Sequence, residues 1–509
     1  MTKYFYITTP IYYPSAKPHM GHAYSSIVAD FFARFKRIDG FQVHFLTGTD
    51  EHGLKIQRAA EKEGMDTLKF CDTISQTFKD LSKTLNLTNT DFIRTTEKRH
   101  LKSVQYLWNE LEKNDDIYLS KYSGWYSVSD EAFYNEDEIE ENNGKKIAIS
   151  SKSSVEWVDE ESYFFRLSRW EKPLLNFYEE NPQFISPESR KNEVISFVKS
   201  GLKDLSVSRK SFSWGIKVPS NKDHVIYVWL DALTNYLSAL NYPKETEKLY
   251  KDFWPANVHI IGKDILRFHA VYWPAFLLAA GIKPPQRVYG HGWILSGDEK
   301  MSKSKGNILD PIEIIDIYGL DALRYYLLKE VSFGNDGNIS KEKLESCINS
   351  DLANNYGNLC QRVILFCEKN LGLKVPEYNF TNEDLKILND FKENRENIEK
   401  QINDQNINYY VEYVVNQLFK ANKYFNDQAP WTKKDDSLRL NTIVFVSLEL
   451  IRKISILLYP IIPNTSLKVL NIFSIKEKDI KFDTISNNEY LKDKKEIIKL
   501  GILFEKIKK

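Results

Sequence analysis

The sequence predicts an α/β fold built on a parallel sheet, interrupted by a small β-rich insertion and followed by an all-helical domain. Three observations carry this expectation. A strand–helix–strand pattern opens the chain. From about residue 116, strand-length aromatic pieces alternate with acidic and Asn/Gly-rich turns. From about residue 311 helical periodicity dominates to the end.

The totals agree with a multidomain globular protein. The chain has 509 residues, with 42% hydrophobic and 28% charged residues and a formal net charge of zero, so a core of ordinary size is available. A neutral balance argues against sequence-blind nucleic-acid binding through a strongly basic surface. The cysteines, Cys71, Cys347, Cys360 and Cys367, include no Cys-x-x-Cys pair. That disfavours a thiolate zinc knuckle and suits a reducing, cytoplasmic setting. No basic segment followed by an apolar run precedes the first strand. The most apolar late stretch, residues 442–463, carries Glu449, Arg452 and Lys453 and is read as a buried helix, not a membrane span.

In chain order, residues 4–8 predict a buried strand, 21–37 a helix and 43–47 the next strand, a βαβ unit whose strands pair in parallel. Helical patterns follow at 54–63, 67–85 and 97–113. In the insertion, residues 123–128, 132–134 and 155–158 read as strands, and 163–167 as the start of a helical return. The α/β pattern resumes with a strand at 224–229, a helix at 230–240, a strand at 257–261, a helix at 263–281 and a strand at 287–289. Residues 293–306 read as a hairpin and lysine-rich loop. Helices are expected at 312–317, 322–331, 341–370, 382–426 and 436–459. The expected division is 1–115 and 211–292 for the two halves of the sheet domain, 116–210 for the insertion, 293–340 for the loop region and 341–509 for the helical domain.

Two stretches carry chemistry. His19-Met20-Gly21-His22 sits where the first strand feeds the first helix, and free N–H groups at such a mouth bind anions. Its plainer reading is a helix N-terminus with solvent histidines. Lys300-Met301-Ser302-Lys303-Ser304 lies far downstream, after the last strand of the sheet. A closing lysine loop stabilises charge built on leaving phosphate oxygens; its plainer reading is a solvated surface loop. Together, in this order and at these places, the two stretches resemble the signatures of class I aminoacyl-tRNA synthetases.

Within that class the sequence resembles the methionyl family. The carrying segments are Tyr6-Ile7-Thr8-Thr9-Pro10-Ile11-Tyr12-Tyr13, Pro18-His19-Met20-Gly21-His22-Ala23-Tyr24, Phe45-Leu46-Thr47-Gly48-Thr49-Asp50-Glu51-His52-Gly53, Tyr227-Val228-Trp229-Leu230-Asp231-Ala232-Leu233-Thr234-Asn235-Tyr236, Ile260-Ile261-Gly262-Lys263-Asp264-Ile265-Leu266-Arg267-Phe268-His269 and Gly290-His291-Gly292-Trp293. They lie within about residues 3 to 460. The resemblance implies a Rossmann-type catalytic domain and a helical-bundle anticodon-binding domain. It also implies a methionine–tRNA ligase activity for protein biosynthesis, run on ATP with Mg2+.

By the same resemblance, His19, His22, Lys300 and Lys303 would be catalytic. Gly21, Gly262, Lys263, Asp264, His291, Gly292 and Lys303 would hold ATP. Ile11, Tyr13, Trp229, Ala232, Tyr236, Ile265 and His269 would surround the methionine side chain, with Asp50 on its ammonium. Asn358, Arg362, Pro430 and Trp431 would read the anticodon of tRNA(Met), whose acceptor end would reach the catalytic domain. A thioether suits aromatic walls, and an exposed Trp can stack an unpaired base. Taken singly, the pocket residues also read as core, and the anticodon set as helix-surface polar groups with an anchoring Trp. Serines and acids stand where cysteines could ligate zinc, at 125–131 and 152–156, which implies a branch without structural zinc. The insertion looks too short for a large editing domain. With no dimerising C-terminal module, a monomer without membrane attachment is expected. The rival readings are another class I synthetase or nucleotidyl transferase, and a tRNA-binding protein with a retired active site.

Overall fold

The computed structural model describes residues 2–14, 17–128, 130, 132–142, 144–296, 299–300 and 310–507. By contacts the chain forms two compact units, Tyr4–Pro18 with Val43–His291, and His19–Gln42 with Gly292–Lys509 and the first three residues.

The first unit holds a six-stranded sheet in the order Asp91–Arg94, Phe41–Thr49, Lys3–Tyr12, Val258–Gly262, Val288–His291, Ile185–Ser186. The pairings Leu46 with Asp91, Ile7 with Val258, His259 with Val288, and Val288 with Ile185 are parallel. Strand interiors such as Tyr6, Ile7, Phe45, Leu46, Ile260 and Ile261 are fully buried, as near-continuous apolar runs in a parallel sheet must be. From the first strand the order runs to Phe41–Thr49 on one side and to Val258–Gly262 on the other. That reversal opens a crevice at the C-terminal strand ends, where such sheets bind ligands.

The insertion is a four-stranded antiparallel sheet, ordered Leu205–Ser206, Glu156–Phe165, Ile117–Ser127, Ala132–Tyr134. Asp130 ties its tip: the carboxylate accepts from the hydroxyls of Tyr134 (2.8 Å), Ser153 (2.7 Å) and Ser151. These donors hold it below its ordinary value although burial pushes it up. Residues 163–165 belong to a strand rather than to the start of a helix. Their continuous aromatic run pairs with Ile117–Leu119, and that tertiary pairing overrides the local helical reading.

The second unit is helical. Its helix Met20–Ile38 is buried nearly all round and packs with Leu320–Glu330 and Ile294–Ser296. Inside it, Asp30 accepts from both Arg34 (2.7 Å) and Arg324 (2.8 Å), and Arg34 also donates to the Tyr459 hydroxyl. The apolar helix Ser437–Leu458 carries buried charges that meet partners on it and beyond it. Glu449 pairs with Arg452 at 2.7 Å, and Lys453 Nζ donates to the carbonyls of Ile485 and Leu388 and to Asn488 Oδ1. The expected continuous helix at 382–426 is three helices, Asn382–Glu393, Arg395–Asn403 and Ile407–Gln428. Asn394 and Asn406 stand at the breaks, where Asn competes with helical bonding.

Candidate active site

The candidate methionine residues converge at the crevice of the first unit. The chain leaving the first strand carries Ile11 and Tyr13. Trp229 and Ala232 lie on the helix Val228–Leu233 and Tyr236 on the turn Asn235–Ser238. Trp229 is therefore helical, not the end of a strand. The strand here is only Val225–Ile226, because the chain turns at Tyr227 to begin the helix. Ile265 closes the turn after Val258–Gly262, and His269 lies in a widened, π-type turn, Phe268–Tyr272. The expected continuous helix at 263–281 is thus broken before its regular part, Trp273–Ala279. Such widened turns re-aim side chains and gather at functional sites.

Ile11, Tyr13 and Trp229 pack on the buried patch of Tyr126, Tyr227 and Ala232. Trp229 lies flat on Phe268, ring centroids 3.5 Å apart and planes 6° from parallel. The Tyr236 ring stacks on His259 at 4.0 Å. Its hydroxyl donates to His269 Nε2 at 2.7 Å, while His269 Nδ1–H donates to the Ile265 carbonyl at 2.9 Å. Both ring nitrogens are thus engaged as in a neutral imidazole. Burial pushes His269 down to about 4, and burial, then His269, push His259 well below its ordinary value. These walls are apolar aromatics and uncharged imidazoles, the lining a thioether suits.

Asp50, the carboxylate assigned to the ammonium, lies in the turn after Phe41–Thr49. Asp50 is buried, and its backbone N–H donates to the Tyr12 carbonyl at 2.9 Å. Its neighbour Glu51 is held by Arg94 (2.6 and 3.0 Å), Thr96 (2.6 Å) and Thr49 (2.8 Å). His52 is held by Tyr13, whose hydroxyl donates to the His52 carbonyl. Hydrogen bonds thus hold the turn at Asp50, Glu51 and His52. The Trp229–Phe268 stack and the Glu51–Arg94 pair escaped sequence reasoning, though Phe268 lay inside the quoted run from Ile260 to His269. Glu51 lay inside the quoted Thr-Gly-Thr-Asp-Glu-His-Gly run, but Arg94 gave no signal before the strand pairing placed it.

In the second unit, His19 and His22 cap the helix Met20–Ile38. The Gly21 N–H donates to His19 Nδ1 and the His19 N–H to His22 Nδ1, both at 3.1 Å, and the rings stack at 3.8 Å. With Nδ1 accepting, each neutral ring carries its proton on Nε2. Burial, then His19, hold His22 well below its ordinary value. The pair stands at a helix N-terminus, the kind of place where anions bind. A Cβ on Gly21 would stand 3.0 Å from the His19 ring, so the small residue makes room for it.

The ATP candidates divide between the units. In the first, a Cβ on Gly262 would lie 2.6 Å from Asp264 Oδ1; Lys263 follows at the strand end, and His291, buried, ends the last strand of that run. In the second, a Cβ on Gly292 would lie 2.2 Å from the Asn335 backbone. Lys300 pairs with Leu295 in a short antiparallel hairpin. Lys303 lies outside the described residues.

The anticodon candidates share one end of the helical unit. Asn358 is exposed and Arg362 half-buried on the same helix, Asn358–Leu371. Arg362 donates to Asn426 Oδ1 at 2.6 Å and lies over the Phe425 ring. Phe425 meets Trp431 edge-to-face at 6.0 Å, and Trp431 is 44% exposed while Pro430 beside it is buried. Arg362 and Trp431 thus both contact Phe425, and an exposed indole is a surface on which an unpaired base can stack.

Comparison with known proteins matches residues 5–364 to the family of class I tRNA synthetases (M), and residues 375–509 to the anticodon binding domain of methionyl tRNA ligase. The chain belongs to the methionyl family of class I tRNA synthetases. The methionine–tRNA ligase of Rickettsia typhi is 48% identical over 513 residues, covering 100% of both chains. That of Brucella suis is 48% identical over 92% of each. The Mycobacterium tuberculosis methionyl-tRNA synthetase in complex with methionyl-adenylate superposes with a TM-score of 0.95 at 42% identity. The match covers 99% of this chain and 100% of that one. Family membership accounts for the parallel sheet with its helical C-terminal region. Among the described residues no group of three or more His, Cys, Asp or Glu side chains is placed to hold a metal ion. No helix among them is long and apolar enough to cross a membrane.

Proposed function

We propose that this chain activates L-methionine with ATP and transfers it to the 3′-terminal adenosine of tRNA(Met). The observation that carries the reading is the pocket of Ile11, Tyr13, Trp229, Ala232, Tyr236 and His269, with its rings neutral and Asp50 buried at its edge. Membership of the methionyl family supports it.

In the first step a methionine carboxylate oxygen bonds to the α-phosphorus as the bond to the β-phosphate oxygen breaks, giving methionyl-adenylate and pyrophosphate. Aromatic walls receive the thioether and Asp50 pairs with the ammonium, which fixes the attacking carboxylate. His19 and His22 donate Nε2–H to phosphate oxygens. Being neutral, they stabilise charge as oriented dipoles rather than by proton transfer. Gly262, Lys263, Asp264, His291 and Gly292 receive the nucleotide, and Lys300 and Lys303 offset charge on the departing pyrophosphate. Magnesium would enter on the phosphates of ATP. The described residues hold no cluster fit to ligate it, and no step depends on it here. In the second step an adenosine hydroxyl of the tRNA attacks the methionyl carbonyl and AMP leaves. Asn358, Arg362, Pro430 and Trp431 read the anticodon.

The test is ATP–pyrophosphate exchange with a panel of amino acids. Exchange dependent on methionine, with Lys303→Ala lowering its rate by about a hundredfold or more, is expected. No methionine dependence, or full activity in Lys303→Ala, refutes the assignment.

A further inference from the structure

We propose that Asp231, His52 and His100 form a positioning relay that sets the ammonium-binding turn of Asp50 against the thioether pocket. The proposal rests on the methionine reading above and deepens it.

Asp231 is fully buried, and its two oxygens take different imidazoles. His52 Nδ1 lies 2.6 Å from Oδ2, and His100 Nε2 lies 2.7 Å from Oδ1. An ionised carboxylate only accepts, so both rings donate, which fixes the proton of His52 on Nδ1 and that of His100 on Nε2. Burial pushes the Asp231 carboxyl up, but the two imidazoles outweigh it and leave the group below its ordinary value. His100 is anchored in turn by Ser238 Oγ, 3.0 Å from its Nδ1.

Two of the three residues sit on backbone that carries candidate pocket residues, and the third reaches that backbone through Ser238. Asp231 lies between Trp229 and Ala232 on one short helix. His52 follows Asp50 in the turn, and its carbonyl is held by the Tyr13 hydroxyl at 2.9 Å. His100 comes from the neighbouring helix Lys98–Lys113, and Ser238 ends the turn that carries Tyr236. A carboxylate shared between two rings therefore ties the Asp50 turn to the helix of the thioether wall. Stability alone does not call for this, because a buried charge with its partners can often be replaced by apolar groups at little cost. What the arrangement supplies is a fixed spacing between the site for the ammonium and the site for the side chain, which a free amino acid must satisfy at once.

The test is ATP–pyrophosphate exchange by the full chain, with separate KM values for methionine and ATP, and melting temperature measured alongside. Asp231→Asn turns one accepting oxygen into a donor, so one imidazole loses its acceptor. We expect the methionine KM to rise about tenfold or more, the effect of losing one hydrogen bond to a charged group. The ATP KM should stay within about twofold. Should Asp231→Asn fail to fold, His100→Gln and His100→Leu decide: the amide still donates to Asp231 and the isobutyl group does not, so only the leucine variant should raise the methionine KM. A purely structural role lowers the melting temperature without changing the ratio of the two KM values. That ratio at its wild-type value in every folded variant overturns the relay alone. Absence of methionine-dependent exchange in the wild type overturns the functional reading and the relay with it.

Discussion

The neutral histidine in the pocket makes acid stability a direct probe of the site. His269 is 2% exposed, and burial depresses it from 6.5 to about 4. On acidification the unfolded chain takes up this proton first. The contribution of the neutral ring is therefore complete above about pH 6.5 and is lost as pH falls towards 4. At about 1.4 kcal/mol per unit, the full shift is worth about 3 kcal/mol, and about 2 kcal/mol of that is spent between pH 7.5 and pH 5. Other depressed histidines, His44 and His259 among them, add slopes of the same sign, so the measurement must be differential. His269→Asn removes the titrating ring and keeps a polar side chain. Urea unfolding followed by tryptophan fluorescence at pH 7.5 and pH 5 should show the wild type losing about 2 kcal/mol more than the variant. Equal losses would mean that His269 is protonated alike in both states, and the account of a neutral, desolvated pocket would fail.

Three further outcomes are expected. Asp50→Asn removes the carboxylate assigned to the methionine ammonium. Breaking a desolvated charge pair costs about 2–5 kcal/mol, so the methionine KM in the exchange assay should rise by at least about thirtyfold while the ATP KM holds. Trp431→Ala removes an exposed indole. Base stacking is worth about 1–3 kcal/mol, so kcat/KM for tRNA should fall about five- to a hundredfold, with amino-acid exchange unchanged; a parallel fall in exchange would argue against an anticodon role. Gly292→Ala places a Cβ 2.2 Å from the Asn335 backbone. Backbone must move to admit it, and thermal unfolding should shift downward by several degrees, as for other overpacked sites.

The amino-acid sequence by itself determined the elements whose signals are local. Apolar runs at 4–8 and 257–261 specify buried parallel strands. The His19-Met20-Gly21-His22 stretch marks a helix mouth because each histidine can accept an N–H of the turn it caps. Paired with the lysine-rich motif it pointed to the family, and matching segments supplied the candidate pocket residues. What only the tertiary structure decided depends on groups distant in the chain. Whether 163–165 is strand or helix depends on pairing with Ile117–Leu119. The neutrality of His269 comes from burial together with the Tyr236 hydroxyl and the Ile265 carbonyl. Glu449, Arg452 and Lys453 look like flaws in an apolar helix until their partners are seen: the Leu491 N–H for Glu449, the Thr484 and Asn487 carbonyls for Arg452, and Ile485 and Asn488 for Lys453. The link of His52 and His100 through Asp231 joins three segments with no shared pattern. Periodicity reports which face of an element is apolar; it carries no record of which polar group the folded chain brings to meet another. Burial makes those meetings decisive, because a buried polar group must find its partner there.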